Sequence, residues 1–332
     1  VATGARDEIL PYNEGIDMAH AAIPPPASEA TQASGSPRFA RFAWAVLGYN
    51  IAVVLWGAYV RATGSGAGCG NHWPLCNGLA AAHSPSIATL IEFTHRATSG
   101  IDLALVAGLV WWAFRAFPKG HAVRLGAALS AVFLMTEALL GAALVLLEHV
   151  AKNASSSRAW SLSAHLINTL TLLACLTLTA WWGMGKPRVL VRGQGVWKVA
   201  ATLAAVMLLG VSGAIAALGD TLFPASSLAA GWAQDFDPAA NLFVRLRLLH
   251  PVLAAGVGTW LLFYAGGALG RARGPALALM ALALAQLAAG AANLLLLAPV
   301  WMQILHLLLA DLLWVALVLL SARLLERGQN GA

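Results

Sequence analysis

The chain has 332 residues, of which 59% are hydrophobic and only 10% charged, with a mean hydropathy of +0.73. That composition excludes a water-soluble globular domain, whose surface requires far more polar side chains. The formal net charge of +6 is placed along the chain in a way that membrane topology explains, so no nucleic acid partner is called for.

Residues 1–37 are rich in Pro, Ala and Ser and hold no apolar core of signal-peptide length, which predicts a disordered N-terminal arm. Opening on Val1 instead of Met points to removal of something ahead of it. Eight apolar runs follow, at 42–60, 87–114, 122–147, 159–184, 196–218, 242–269, 275–297 and 300–320. About 20 apolar residues suffice for one helical crossing of a bilayer. These runs are continuous Leu/Ala/Val blocks and lack the alternation of barrel strands, so the fold is expected to be an all-α membrane protein of eight transmembrane helices.

Basic residues orient the helices. Arg38, Arg41, Arg115, Lys119, Arg124, Lys186, Arg188, Arg192, Lys198, Arg271, Arg273, Arg323 and Arg327 all flank the runs on one side. Arg61, Lys152 and Arg158 lie on the other, with Arg245 and Arg247. The positive-inside bias therefore predicts that both termini are cytoplasmic, in a bacterial inner membrane, and that the loop after the first run faces outward.

That loop reads TGSGAGCGNHWPLCNG, residues 63–78, and holds Cys69 and Cys76, two of the three cysteines. On an oxidising face two nearby thiols favour a disulfide, either structural or redox-active. Zinc with His72 as a third ligand is the rival, but a closed zinc site wants four ligands and a Cys-x2-4-Cys spacing. Cys175, inside the fourth run, reads as a small core residue.

Four histidines, His95, His165, His250 and His306, fall near the start of the even-numbered runs, which puts all four imidazoles at one depth. Their surroundings repeat. His165-Leu166 answers His306-Leu307 at an offset of 141, and His95 answers His250 at 155. The segment EALLGAA, with Glu137 and Gly141, answers QLAAGAA, with Gln286 and Gly290, and GAYVRATG from Gly57 answers GAIAALG from Gly213. The chain is thus expected to form two pseudo-symmetric four-helix bundles, 38–185 and 186–332, each with its own site. Two facing histidines in a bundle core suit bis-axial coordination of heme iron, while copper or zinc would bring further close-spaced ligands.

The halves also differ. Three residues before its histidine the first half carries Glu92 and the second Arg247, each on the histidine's face. Arg247 suits heme propionates; Glu92, an ionisable group at this depth, suits proton transfer. The first half looks specialised for chemistry and the second for holding a redox heme.

The segments TGSGAGCGNHWPLCNG, EFTHRATSG, HLINTLTLLACLTLTAWW, ALGDTLFP, RLLHPVLAAGVG and HLLLADLLW, in this order over residues 45–320, resemble the heme A synthase family. The resemblance implies oxidation of the C8 methyl group of heme O to a formyl group, giving heme A for terminal oxidases, with heme b as a bound cofactor. It further implies His250 and His306 as heme b ligands, His95 and His165 as ligands of the substrate heme, Glu92 as the catalytic acid and Cys69–Cys76 as the outer-loop pair. Some relatives carry a second cysteine pair between the fifth and sixth helices; GDTLFPASSLAAGWAQDFDPAAN has none, which argues against electron relay through two disulfides. The implied partners are the bilayer, heme O, an electron partner, heme O synthase and oxidase assembly factors. The competing reading from the residues alone is a bis-His di-heme quinol oxidoreductase of the cytochrome b type.

Overall fold

The computed structural model describes residue 1 and residues 35–78, 86–189 and 195–326; nearly all of the expected N-terminal arm, and Arg192 and Arg327, lie outside them. The helices are α1 (Pro37–Ala62), α2 (Ile87–Ala116), α3 (Ala122–Leu146), α4 (Ser156–Gly183), α5 (Val196–Leu222), α6 (Leu228–Phe236), α7 (Leu242–Arg247), α8 (Leu249–Leu295) and α9 (Val300–Leu324). Several begin at a side-chain cap that satisfies a backbone N–H the helix cannot pair internally. Ser36 accepts from Phe39, with Pro37 in the first turn; Ser86 accepts from Thr89, and Ser155 from Arg158. The expected starts at 42 and 159 fall late because the first turn of each helix is polar.

Among the described residues, seven helical segments are long and apolar enough to cross a bilayer, and the chain is a multi-pass membrane protein. One segment, Leu242–Leu295, is 54 residues long. Its main part, α8, would extend about 70 Å if straight, more than twice the hydrocarbon thickness. It is not straight. Ala272 leaves the helical region (φ −148°, ψ 57°) shortly before Pro275, and the two arms meet again. Gly258 packs on Leu287, while His250 and Gly290 both lie against His306. The sixth and seventh expected runs are therefore two arms of one hairpin. The loop expected between them is reduced to a single non-helical residue, flanked by Arg271 and Arg273.

The core lies between α4 and α9. Half of an 18-residue apolar stretch is buried in each of them, against 11% of the corresponding stretch within Leu242–Leu295, so the hairpin is the more exposed element. Leu172, Leu173, Leu176, Leu317 and Leu320 are fully buried, and the indole N–H of Trp314 on α9 donates to the carbonyl of Leu170 on α4 at 2.7 Å. Apolar side chains such as Trp111, Trp160 and Phe263 point outward. In lipid this carries no penalty, because burial adds packing and not escape from water.

This inside–outside division is testable by truncation. Leu176→Ala should destabilise the protein by about 2–5 kcal/mol through cavity formation. Leu139→Ala, at a side chain 55% exposed, should leave the midpoint of thermal unfolding in detergent almost unmoved. Equal effects would show that α4 is not the centre of packing.

Candidate functional site

His250, at the start of α8, and His306, in the second turn of α9, face each other with ring centroids 6.3 Å apart and planes at 85°. Each ring stands against a glycine on a neighbouring helix. A Cβ at Gly213 of α5 would lie 2.9 Å from Cε1 of His250, and one at Gly290 would lie 3.0 Å from Cε1 of His306. A side chain at either glycine would press on the ring and require it to shift. Ser212 Oγ is 3.0 Å from Nδ1 of His250, which leaves its Nε2 for another partner. Gln286 Nε2 is 3.3 Å from Nε2 of His306, whose buried Nδ1 makes no hydrogen bond. Two imidazoles bound on opposite sides of one metal, with bonds of about 2 Å and a further ~1 Å from nitrogen to ring centre, have centroids roughly 6 Å apart. The centroid separation of the observed pair is of that size.

In the first half His95 on α2 stands against Gly57 of α1, where a Cβ would lie 2.9 Å from its Cε1. Its Nδ1 is buried without a hydrogen bond, and His165 and Glu137 lie within electrostatic reach. Nδ1 of His165 on α4 is 3.3 Å from Oε1 of Glu137 on α3 without a formed hydrogen bond. Asn168 Nδ2 at 2.5 Å and the Thr169 hydroxyl hold the Glu137 carboxylate. Among the described residues, no three or more His, Cys, Asp or Glu side chains gather as ligands for a bare metal ion. A pair of axial imidazoles suffices only if a macrocycle supplies the equatorial ligands.

The loop after α1 is closed by the Cys69–Cys76 disulfide, with both cysteines buried. Both sulfurs are used, which sets the zinc reading aside. Glu92, expected beside His95, is 3% exposed, and both its oxygens are engaged. Oε1 pairs with Nη2 of Arg96 at 2.5 Å and Oε2 accepts from the Cys69 N–H at 2.9 Å. Nη1 of Arg96 donates to the carbonyls of His72 at 2.7 Å and Leu75 at 2.8 Å. The pair therefore fastens the loop onto the helix that carries His95. Arg96 has no role in the sequence reading, although Glu followed by Arg at i+4 was a visible signal.

Arg247 meets the protein itself. Nε donates to Asp235 at 2.5 Å, Nη1 to Asp220 at 3.3 Å, and Nη2 to Gln234 at 3.0 Å and the Gly231 carbonyl at 3.3 Å. Three of these partners lie on α6, a short helix absent from the expected elements, whose Leu228, Trp232 and Phe236 are exposed. Two buried carboxyls were also passed over. Asp102 on α2 accepts from Asn50 at 2.5 Å, and Asp311 on α9 is 2% exposed with Oδ2 unpaired. A lone carboxyl inside an apolar run was their signal. Cys175 on α4 is a free thiol of intermediate burial.

Comparison with known proteins adds an independent line. The COX15-CtaA family, described as cytochrome oxidase assembly protein, matches residues 40–318. A Thermus thermophilus protein named protoheme IX farnesyltransferase is 50% identical over 299 residues, 88% of this chain and 49% of the relative. The chain thus spans about half the length of that relative. Proteins named heme A synthase match over shorter stretches: one from Exiguobacterium is 38% identical over 94 residues, 28% of this chain and 31% of its own. One from Bacillus cereus is 45% identical over 93 residues, 28% of this chain and 30% of its own.

The loop clamp predicts a local effect. Arg96→Gln removes the loop contacts and leaves Glu92 buried without its cation, which should cost on the order of 3 kcal/mol. Amide exchange across residues 69–78 should accelerate while the disulfide persists. Unchanged exchange would show that the bridge alone seats the loop.

Proposed function

The chain belongs to the COX15-CtaA family of cytochrome oxidase assembly proteins, and from that premise we propose that it is a heme A synthase, oxidising the C8 methyl of heme O to a formyl group. The observation that carries this reading furthest is the His250–His306 pair, at a separation suited to one axially ligated macrocycle and backed by glycines that admit the rings. In this reading His250 and His306 hold heme b, and His95 and His165 hold the substrate heme. Bound heme b would supply one-electron redox capacity beside the substrate.

Recurring contacts support the two-bundle arrangement over 38–185 and 186–332. Gly57 meets His95 as Gly213 meets His250, and Glu137 approaches His165 as Gln286 approaches His306. The differences fit a division of labour. Where the second half has a neutral amide at Gln286, the first has a carboxyl, and Glu92 adds another beneath the disulfide loop. Converting a methyl group and one water to a formyl group releases four electrons, which pass to an external electron acceptor, and four protons, which a carboxylate held close to the substrate site can accept. Glu92 is the residue we assign to this step. Its bonds to Arg96 and the Cys69 N–H fix the orientation of the carboxylate while linking it to the loop.

The loop faces outward in this reading, with both termini cytoplasmic in a bacterial inner membrane; the basic flanks and the disulfide, which persists on an oxidising face, support it. About half of a protein named protoheme IX farnesyltransferase resembles this chain, which supports a farnesyl-transfer reaction as the source of the substrate. Delivery of the product to oxidase assembly completes the proposal.

Pigment extraction from purified protein is the direct test. Heme O or heme A alongside heme b is the expected outcome, whereas two equivalents of heme b alone would favour the di-heme quinol oxidoreductase. Within the protein, His250→Ala or His306→Ala should abolish the low-spin heme b spectrum, and retention of that spectrum in both would refute the ligand assignment. Glu92→Gln keeps the acceptor for Cys69 but cannot exchange a proton. It should retain heme b while losing conversion by about a hundredfold or more, and heme A formation at the wild-type rate would remove Glu92 from the chemistry.

A further inference from the structure

Arg61, near the end of α1, belongs to the first half of the chain but ends its side chain in the second. Nη1 donates to the Ala217 carbonyl and the Thr221 hydroxyl of α5, both at 3.0 Å, and Nη2 donates to Oε1 of Gln303 on α9 at 3.0 Å. The register of these partners locates the guanidinium. Ala217 lies one turn beyond Gly213, the glycine against His250, and Gln303 lies one turn ahead of His306. Gln303 is itself fixed by a bond from Nε2 to the Ala298 carbonyl at 2.7 Å. Arg61 is therefore held by the helices that flank both rings, one turn from each towards the disulfide-loop end of the bundle.

The bonding pattern is incomplete in a specific way. All three acceptors of Arg61 are neutral, and among the described residues it forms no ion pair. Three of its five N–H groups are used, leaving Nε–H and one N–H of Nη2, neighbouring donors that match the two oxygens of a carboxylate. The surrounding charges do not balance. Arg158 and Asp220 act on Arg61 electrostatically, but Asp220 and Asp235 are both bonded to Arg247, and Arg158 donates only to the carbonyls of Ala151 and Asn153. Three guanidiniums thus face two carboxylates, and a partly buried excess of positive charge calls for an anionic ligand.

We propose that Arg61 receives a carboxylate of the macrocycle held between His250 and His306, so that the first half supplies the anion-binding residue of the second half's site. The inference rests on the heme-binding reading above. It also moves propionate recognition away from Arg247, where four of the five N–H groups are already taken up by protein.

The test is a binding comparison on the full chain, stripped of pigment and titrated with protoheme or with its dimethyl ester, in which both propionates are uncharged. The wild-type protein should prefer the free acid by about tenfold or more, the value of a charge-assisted hydrogen bond. Arg61→Gln should bring that preference close to unity while leaving affinity for the ester unchanged, which also reports that the variant is folded. Arg61→Lys, which keeps the charge but not the fork, should fall between. An undiminished preference in both variants, or equal loss of affinity for acid and ester, would overturn the proposal and leave Arg61 as a tie between the halves. If the wild-type protein bound neither pigment, the heme-binding reading would itself fail, and this proposal with it.

Discussion

A backbone surrounded by hydrocarbon must satisfy its own N–H and C=O groups, and every other feature of this molecule is arranged around that requirement. It forces the apolar runs into helices whose ladders are closed from within, with serine caps serving the ends of α1, α2 and α4. It also leaves the polar side chains as the means by which one helix can recognise another. The buried polar pairs are accordingly few and specific: Asn50 with Asp102, Asn168 and Thr169 with Glu137, Trp314 with the Leu170 carbonyl. Between them the helices approach through small residues, and the imidazoles of His95, His250 and His306 stand against glycines.

The two loop attachments illustrate how covalent and ionic ties can serve the same end. Over α2 the Cys69–Cys76 bridge shapes the loop, and the Glu92–Arg96 pair seats it. Over the start of α8 the chain has no cysteines, and Arg247 gathers Asp220, Asp235 and Gln234 in their place. Arg96 lies on the helix that carries His95, and Arg247 lies at the end of α7, two residues before the helix that carries His250.

Helices were legible in the sequence because membrane spans are written as local composition, and the repeat spacing paired Gly57 with Gly213, which stand against His95 and His250; it also paired Gly141 with Gly290, yet Gly290 meets His306 and Gly141 meets no side chain. Other features were not. The single-residue turn at Ala272 hides because Arg271 and Arg273 look like an ordinary polar loop, and helical bonding persists almost through the reversal. Helix α6 was missed since its nine residues, LAAGWAQDF, are too short to give a reliable period. Arg61 was read only as an outer-side charge and Arg247 only by its spacing from His250, whereas their partners lie 156 and 242 residues away for Arg61 and 12 and 27 for Arg247. Such pairings depend on which helix faces which, and local periodicity carries no record of it.

The reversal at Ala272 has a mechanical corollary. A turn of ordinary length can absorb an added or missing residue, but here the helical ladder runs nearly unbroken from Leu249 to Leu295. One residue inserted between Gly258 and Ala272 would rotate the preceding arm by about 100° and advance it by about 1.5 Å relative to the other. Gly258 would swing off Leu287, and His250 would turn away from both Gly213 and His306. The hairpin thus acts as a gear with fixed teeth: side-chain identity along its lipid-facing surface can drift, while its residue count is locked by contacts at the far end.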